Sequence, residues 1–350
     1  MRALIEEIER EAYKYNDYKV VSVFVGGGTP TSVEPDLLCE VIQTLKHNFS
    51  FAEDAEISME ANPGTVSLES LSKYREAGIN RLSIGLQSAN DTELKLLGRI
   101  HTYAEFENTY HMARKVGFDN INVDLMSALP GQTVEDYRTS LEKVLSLTPM
   151  PEHISAYSLI VEEGTLFYER YGAEKECLER TGMGQIELPS EEEEREMYML
   201  TRTMLFEAGF KQYEISNYSR KGYECRHNKV YWERGNYVGF GLGAASMVEN
   251  IRFQNISDLN VYLQTENKVE DENSLSVEEQ MEETMFLGLR LRSGVSRKLF
   301  LERFGTEINE VYGDVIAKNV RDGLLLDGEY VALTESGLDV SNYVMAQFLL

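Results

Sequence analysis

The chain has 350 residues, 42% hydrophobic and 27% charged, with 59 acidic side chains against 34 basic ones and a formal net charge of −25. That length allows one large domain plus a smaller one with a sizeable core, and that charge excludes nucleic acid as a default partner, because phosphate neutralisation needs clustered Lys and Arg. No run approaches the roughly 18 unbroken apolar residues of a membrane span, and the acidic start Met-Arg-Ala-Leu-Ile-Glu-Glu-Ile-Glu-Arg is unlike a signal or transit peptide, which favours the cytoplasm and leaves only peripheral membrane association open.

Residues 2–16 place Leu4, Ile5, Ile8 and Ala12 on one stripe, which predicts a helix. Val-Val-Ser-Val-Phe-Val (20–25) then reads as a strand buried on both faces, ending on Gly26, Gly27, Gly28, Thr29 and Pro30. Glycines there let the backbone turn sharply, or let a ligand approach its N–H groups. A helix is predicted over 32–46. The same unit recurs as strand 56–60 with a helix opening at Ser67 and stopping at Gly78, and as strand 81–87 with a helix capped by Thr102 and Glu105. Strand 121–125 follows, with a helix capped by Thr133 and Asp136, and then strand 154–160. Spacings of this size fit a strand, a crossover helix and two loops, so a parallel α/β sheet is expected, either barrel-like or doubly wound. Each strand ends near a polar side chain: Thr29, Glu60, Gln87, Asp124, and Tyr157 with Ser158. In a barrel these would ring one mouth, where ligands bind; singly, each could simply cap its own loop.

Beyond residue 163 the alternation lapses. Residues 172–189 read as a loop, 191–207 as a helix that begins in the acidic run Glu191 to Glu194, and 211–246 as a curled antiparallel piece rich in Gly and aromatics. Residues 264–275 read as a polar linker. From Val277 the pattern is helical and ends in what looks like the wing and last helix of a small winged-helix unit. Its expected recognition segment sets Glu307, Glu310 and Asp314 against Lys318 and Arg321, which does not suit DNA. Cys39, Cys177 and Cys225 are too scattered for a disulfide framework or a metal knuckle, and are expected to be reduced.

Five segments in order, Gly-Gly-Gly-Thr-Pro-Thr (26–31), Glu-Ala-Asn-Pro-Gly (60–64), Arg-Leu-Ser-Ile-Gly-Leu-Gln-Ser (81–88), Asn-Val-Asp-Leu-Met (122–126) and Leu-Pro-Gly-Gln-Thr (129–133), resemble one family. It is the radical SAM family related to oxygen-independent coproporphyrinogen III oxidase. Arg-His-Asn-Lys-Val-Tyr-Trp (226–232) and Gly-Phe-Gly-Leu-Gly-Ala-Ala-Ser (239–246) look like its haem-chaperone branch. The resemblance covers essentially the whole chain. It implies a partial (β/α)6 barrel over residues 1–170, an α+β extension over 171–263 that carries a haem segment, and a C-terminal winged-helix-like unit over 276–350. It also implies that Gly27, Gly28 and Thr29 hold the methionyl part of S-adenosylmethionine (SAM), with Glu60, Gln87, Arg99 and Asp124 as further SAM contacts. Arg99 suits a carboxylate, and Glu60 or Asp124 suits ribose hydroxyls or an ammonium.

The family's [4Fe–4S] cluster is held by Cys-x-x-x-Cys-x-x-Cys after a first strand, upstream of the helix with which this chain begins. Neither that strand nor those cysteines is present, so the expectation is a member truncated at its N-terminus, without cluster and without radical chemistry. His227, Asn228 and Tyr231 match the pattern implicated in haem binding in the chaperone branch. From chemistry alone His227 reads first as a structural hydrogen-bonder; the resemblance brings level with it the reading as a haem-iron ligand walled by Tyr223, Tyr231, Trp232, Tyr237 and Phe240, with Arg226 for a propionate. The expected function is therefore haem binding and transfer to an unidentified acceptor. The alternative is an oxidoreductase acting on a porphyrinogen.

Overall fold

Strand and helix alternate through the first half of the chain as the spacing predicts. The computed structural model describes residues 1–181 and 187–350. Its first elements are α1 (Arg2–Glu11), β1 (Lys19–Val25), α2 (Pro35–Asn48), β2 (Ser50–Ala61), α3 (Leu68–Ala77), β3 (Arg81–Gln87), α4 (Asp91–Leu96) and α5 (Tyr103–Lys115). β4 (Ile121–Ser127), α6 (Val134–Leu145) and β5 (His153–Ser158) complete the alternation. The helix starts are fixed locally: Thr102 with Glu105, and Thr133 with Asp136, form reciprocal capping boxes at α5 and α6. Gly78 closes α3 in the left-handed conformation at φ 103°.

β1 to β5 run parallel in chain order. The sheet does not continue with a sixth parallel strand. After α7 (Leu166–Thr181) and α8 (Glu191–Glu207), the short β6 (Lys211–Gln212) and β7 (Asn217–Ser219) extend it antiparallel, β7 against β5. The result is a curled seven-stranded half-barrel. Alternate strand residues face opposite sides. One set, including Val23, Ile57, Met59, Leu82, Ile84, Leu86, Val123, Leu125 and Ile154, packs with the covering helices into the main core. Fully burying each such side chain stabilises the fold by about 1.5–3 kcal/mol. The other set is polar and lies within the curl: Ser22, Glu56, Ser58, Glu60, Arg81, Ser83, Asn122, Asp124, His153 and Ser155.

Three sequence expectations are corrected here. Residues 172–181 continue α7 rather than forming a loop: one glycine, Gly172, costs too little to break a run of good helix formers. Residues 182–186 of that expected loop lie outside the described residues. Residues 226–232 form helix α9 (Arg226–Trp232) inside the expected antiparallel piece, for a reason given below. The curled piece itself is present as β8 (Ala245–Val248) and β9 (Ile251–Asn255), where a Cβ on Gly239 would come within 2.4 Å of the Ala245 carbonyl oxygen. After α10 (Leu259–Gln264), the expected linker contains a strand, β10 (Val269–Ser274), paired antiparallel to β9. Its acidic, exposed side chains are those of a protected sheet edge.

The last part comprises α11 (Val277–Gly288), β11 (Val295–Ser296), α12 (Arg297–Phe304), α13 (Ile308–Arg321), β12 (Leu325–Asp327), β13 (Tyr330–Leu333), α14 (Glu335–Asp339) and α15 (Ser341–Met345). The three strands form their own sheet, ordered β11-β13-β12, with β12 and β13 as the expected wing. This part has a separate core around Met285, Phe300, Ile308, Tyr312, Val331 and Phe348. Among the described residues no helix is long and apolar enough to cross a membrane.

Candidate functional site

The C-terminal ends of β1 to β5 gather the residues expected to meet SAM. Gly27 (φ 81°) and Gly28 (φ 113°) take left-handed conformations, and the space where their side chains would project is open. Beside them Glu60 is half-buried. Burial, and then the Asp124 charge, push its carboxyl above the ordinary range, while the Gly27 N–H partly offsets this. Asn62 Nδ2 donates to Thr29 Oγ1 at 3.1 Å, tying the glycine loop to the end of β2.

Gln87 ends β3 at φ 69° and accepts a hydrogen bond from Tyr157 OH at 3.0 Å, spanning from β3 to β5. Asp124 accepts from Asn122 Nδ2 at 2.7 Å and from Ser83 Oγ at 3.3 Å. Burial outweighs those bonds and raises its carboxyl above the ordinary value. Gly85 lies between these groups: a Cβ there would sit 3.0 Å from Gln87 Nε2 and 4.0 Å from Asp124 Oδ2. Arg99 lies on the loop between α4 and α5, held in place by Arg99 N–H donating to Leu94 O at 2.9 Å and by His101 Nε2 bonding Leu86 O at 3.3 Å. Its guanidinium has no hydrogen-bond or ion-pair partner among the described residues. Two carboxyls and bare backbone thus stand near a glycine-made space, with the Arg99 guanidinium close enough to act on the Tyr157 phenol; groups of this kind can pair with an ammonium, hydroxyls and a carboxylate.

The cysteines tell a different story. Cys39 is on α2, packed with the outer core, Cys177 is on α7, and Cys225 is buried at the cap of α9, where burial pushes its thiol up to about 11. Among the described residues no three His, Cys, Asp or Glu side chains converge as a metal site. These donors do not fit a [4Fe–4S] cluster.

The second group of expected residues sits on α9, and the half-barrel interior explains its helical form. Glu56, from β2, accepts the Arg226 N–H at 3.1 Å and the His227 N–H at 3.2 Å, and Cys225 Sγ approaches it at 3.5 Å. A carboxylate distant in sequence thus satisfies the first N–H groups of a seven-residue helix. The His227 ring stacks on Phe24 with centroids 5.1 Å apart. Its Nδ1 is 3.1 Å from Ser22 Oγ and its Nε2 2.9 Å from Tyr231 OH. Burial, and to a lesser degree the nearby Arg81 charge, lower its pKa to about 4, so the ring is neutral. Tyr231 meets Tyr237 edge-on at 4.7 Å.

The remaining expected haem neighbours are dispersed. Arg226 pairs with Asp54 at 2.8 Å, and Phe240 meets Phe49 at 5.9 Å. Trp232 turns to Arg290, whose guanidinium lies 4.2 Å from the indole centroid, and both border a cavity of about 300 Å³. Tyr223 closes a turn onto Arg220, and the Asn228 side chain makes no hydrogen bond among the described residues.

Sequence reasoning passed over Ser22, Phe24, Glu56, Gly85 and Asn122. The signal was present as the period-two polar positions of β2 (Glu56, Ser58, Glu60) and β3 (Arg81, Ser83, Gly85, Gln87), which mark an inward face that is wet rather than apolar.

Comparison with known proteins agrees with this architecture. Residues 3–144 match the radical SAM superfamily, and residues 275–340 match the HemN C-terminal domain. Coproporphyrinogen III oxidase (HemN) of Escherichia coli, a radical SAM enzyme, shares the fold with a TM-score of 0.82 at 22% identity, covering 99% of this chain and 82% of that one. At the level of sequence, the heme chaperone HemW of Bacillus subtilis is 36% identical over 100% of this chain and 90% of its own length. HemW of Lactococcus lactis is 34% identical over 99% of this chain and 89% of its own. The chain belongs to the HemW family of radical SAM proteins.

Proposed function

We propose that this protein binds haem through the 226–232 segment and passes it to an acceptor protein in the cytoplasm, with SAM held at the mouth of the half-barrel. We assign residues 1–170 to the SAM-binding barrel, 171–263 to the extension with the haem segment, and 276–350 to the C-terminal unit. Gly27, Gly28 and Thr29 receive the methionyl part, Arg99 its carboxylate, Glu60 or Asp124 the ammonium or ribose hydroxyls, and Gln87 completes the ring. His227 is the iron ligand, with Asn228 and Tyr231 beside it.

One observation carries the reading: the match to HemW of Bacillus subtilis runs over the whole chain, α9 included.

The test is a transfer experiment. The chain loaded with one equivalent of haem is mixed with an apo b-type cytochrome. Transfer should accelerate with acceptor concentration, as in direct hand-over. A rate independent of acceptor concentration would mean passive loss of haem and would overturn the chaperone reading.

A further inference from the structure

We propose that Glu56 is a positioning residue that holds His227 in a stowed, non-ligating arrangement, and that haem is taken up only when α9 has left it. This rests on the reading of His227 as the haem ligand. A neutral imidazole has one nitrogen lone pair. If Nδ1 carries the proton, it donates to Ser22 Oγ and Nε2 accepts from Tyr231 OH; in the other tautomer Nδ1 accepts from Ser22 and Nε2 donates to Tyr231. In either case the lone pair that iron would need is engaged. One ring face is covered by Phe24, at an interplanar angle of 21°. Arg226, the expected propionate partner, is committed to Asp54 through both Oδ2 and the backbone oxygen.

What keeps this arrangement closed is not α9 itself. A seven-residue helix is far too short to persist alone. Its seat is the Glu56 carboxylate on the first two helical N–H groups, helped by Tyr213 OH, which accepts the Cys225 N–H at 3.3 Å. Glu56 is buried and, among the described residues, pairs with no cation within ion-pair distance, so its acceptor capacity is directed at α9 and Ser58. The apparent haem affinity is then the intrinsic affinity reduced by the fraction of molecules with α9 released. Weakening the seat must tighten haem binding.

The experiment is a haem titration followed in the Soret band for the parent chain, Glu56→Gln, Ser22→Ala and His227→Ala, with hydrogen exchange of the 225–232 amides measured on each. Glu56→Gln keeps one acceptor oxygen and removes the charge. Faster exchange and haem binding tighter by several-fold to about ten-fold are expected. Ser22→Ala should tighten it less, and carries the same expectation if Glu56→Gln does not fold. A merely structural role would not raise affinity. If exchange accelerates but affinity stays equal or falls while His227→Ala still loses haem, the seated helix is the binding form and the proposal is overturned. Unchanged exchange in Glu56→Gln would also overturn it. If His227→Ala binds haem as the parent does, it is instead the ligand assignment that fails.

Discussion

Asn122 accepts a hydrogen bond from His153 Nδ1 at 2.6 Å through its side-chain oxygen, while its amide nitrogen donates to Asp124. That assignment leaves His153 Nε2 to accept from Tyr213 OH at 2.9 Å, and Tyr213 in turn receives the Cys225 N–H. An unbroken chain of hydrogen bonds therefore runs from the mouth of the half-barrel to the cap of α9. Burial keeps His153 neutral, as this direction of donation requires.

Asn122→Ala should accordingly disturb both ends. It strips Asp124 of its shortest donor and leaves the His153 N–H unpaired in the interior, a cost of about 1–3 kcal/mol. Thermal melting should drop, SAM binding measured by calorimetry should weaken, and amide exchange at 225–227 should rise. Unchanged exchange there would show that the two ends are independent.

Glu60 and Asp124 set a pH dependence. Both carboxyls are raised in the folded chain above their ordinary values of 4.5 and 3.8. The folded state thus binds protons more tightly than the unfolded one, so their contribution to stability is greatest below the unfolded values. It is lost as pH rises through the window up to the folded values. Asp124→Asn should melt higher than the parent at pH 7, and the gap should close towards pH 4. A gap that widens on acidification would reverse the assignment. The same variant should bind SAM less well.

The Arg99 guanidinium has no partner among the described residues, and SAM is expected to bind this chain only in the high-micromolar range, about −5 to −6 kcal/mol. Arg99→Ala should abolish that binding. Arg99→Lys should restore part of it, because an ammonium supplies charge but not a bidentate fork. Calorimetric titrations indifferent to Arg99 would remove it from the site.

Much of this was legible from the sequence, and the limits have physical causes. Capping boxes are local, so the starts of α5 and α6 were readable from Thr102 and Thr133. The mouth was readable because each parallel strand carries its polar residue to the same end. The partner of α9 was not readable: Glu56 lies 170 residues from Arg226, and only the curl of the sheet brings them together. β10 was missed because its acidic side chains carry no strand propensity and it exists by pairing with β9. α7 is hard to read because Gly172 and the surrounding charges mimic a loop, while its helix formers carry the chain through.

Anaerobic reconstitution with iron and sulfide should leave no stoichiometric iron on this chain after desalting, since Cys39, Cys177 and Cys225 sit on α2, on α7 and at the cap of α9. Roughly four irons per chain, with broad cluster absorption, would show that these donors had converged.

The central claim is that α9 binds haem through His227, and a haem titration of the parent chain beside His227→Ala and Cys225→Ser tests it most directly. The account predicts a saturable Soret shift at about one equivalent for the parent and Cys225→Ser, lost or displaced in His227→Ala. Binding that survives His227→Ala and disappears in Cys225→Ser would contradict it.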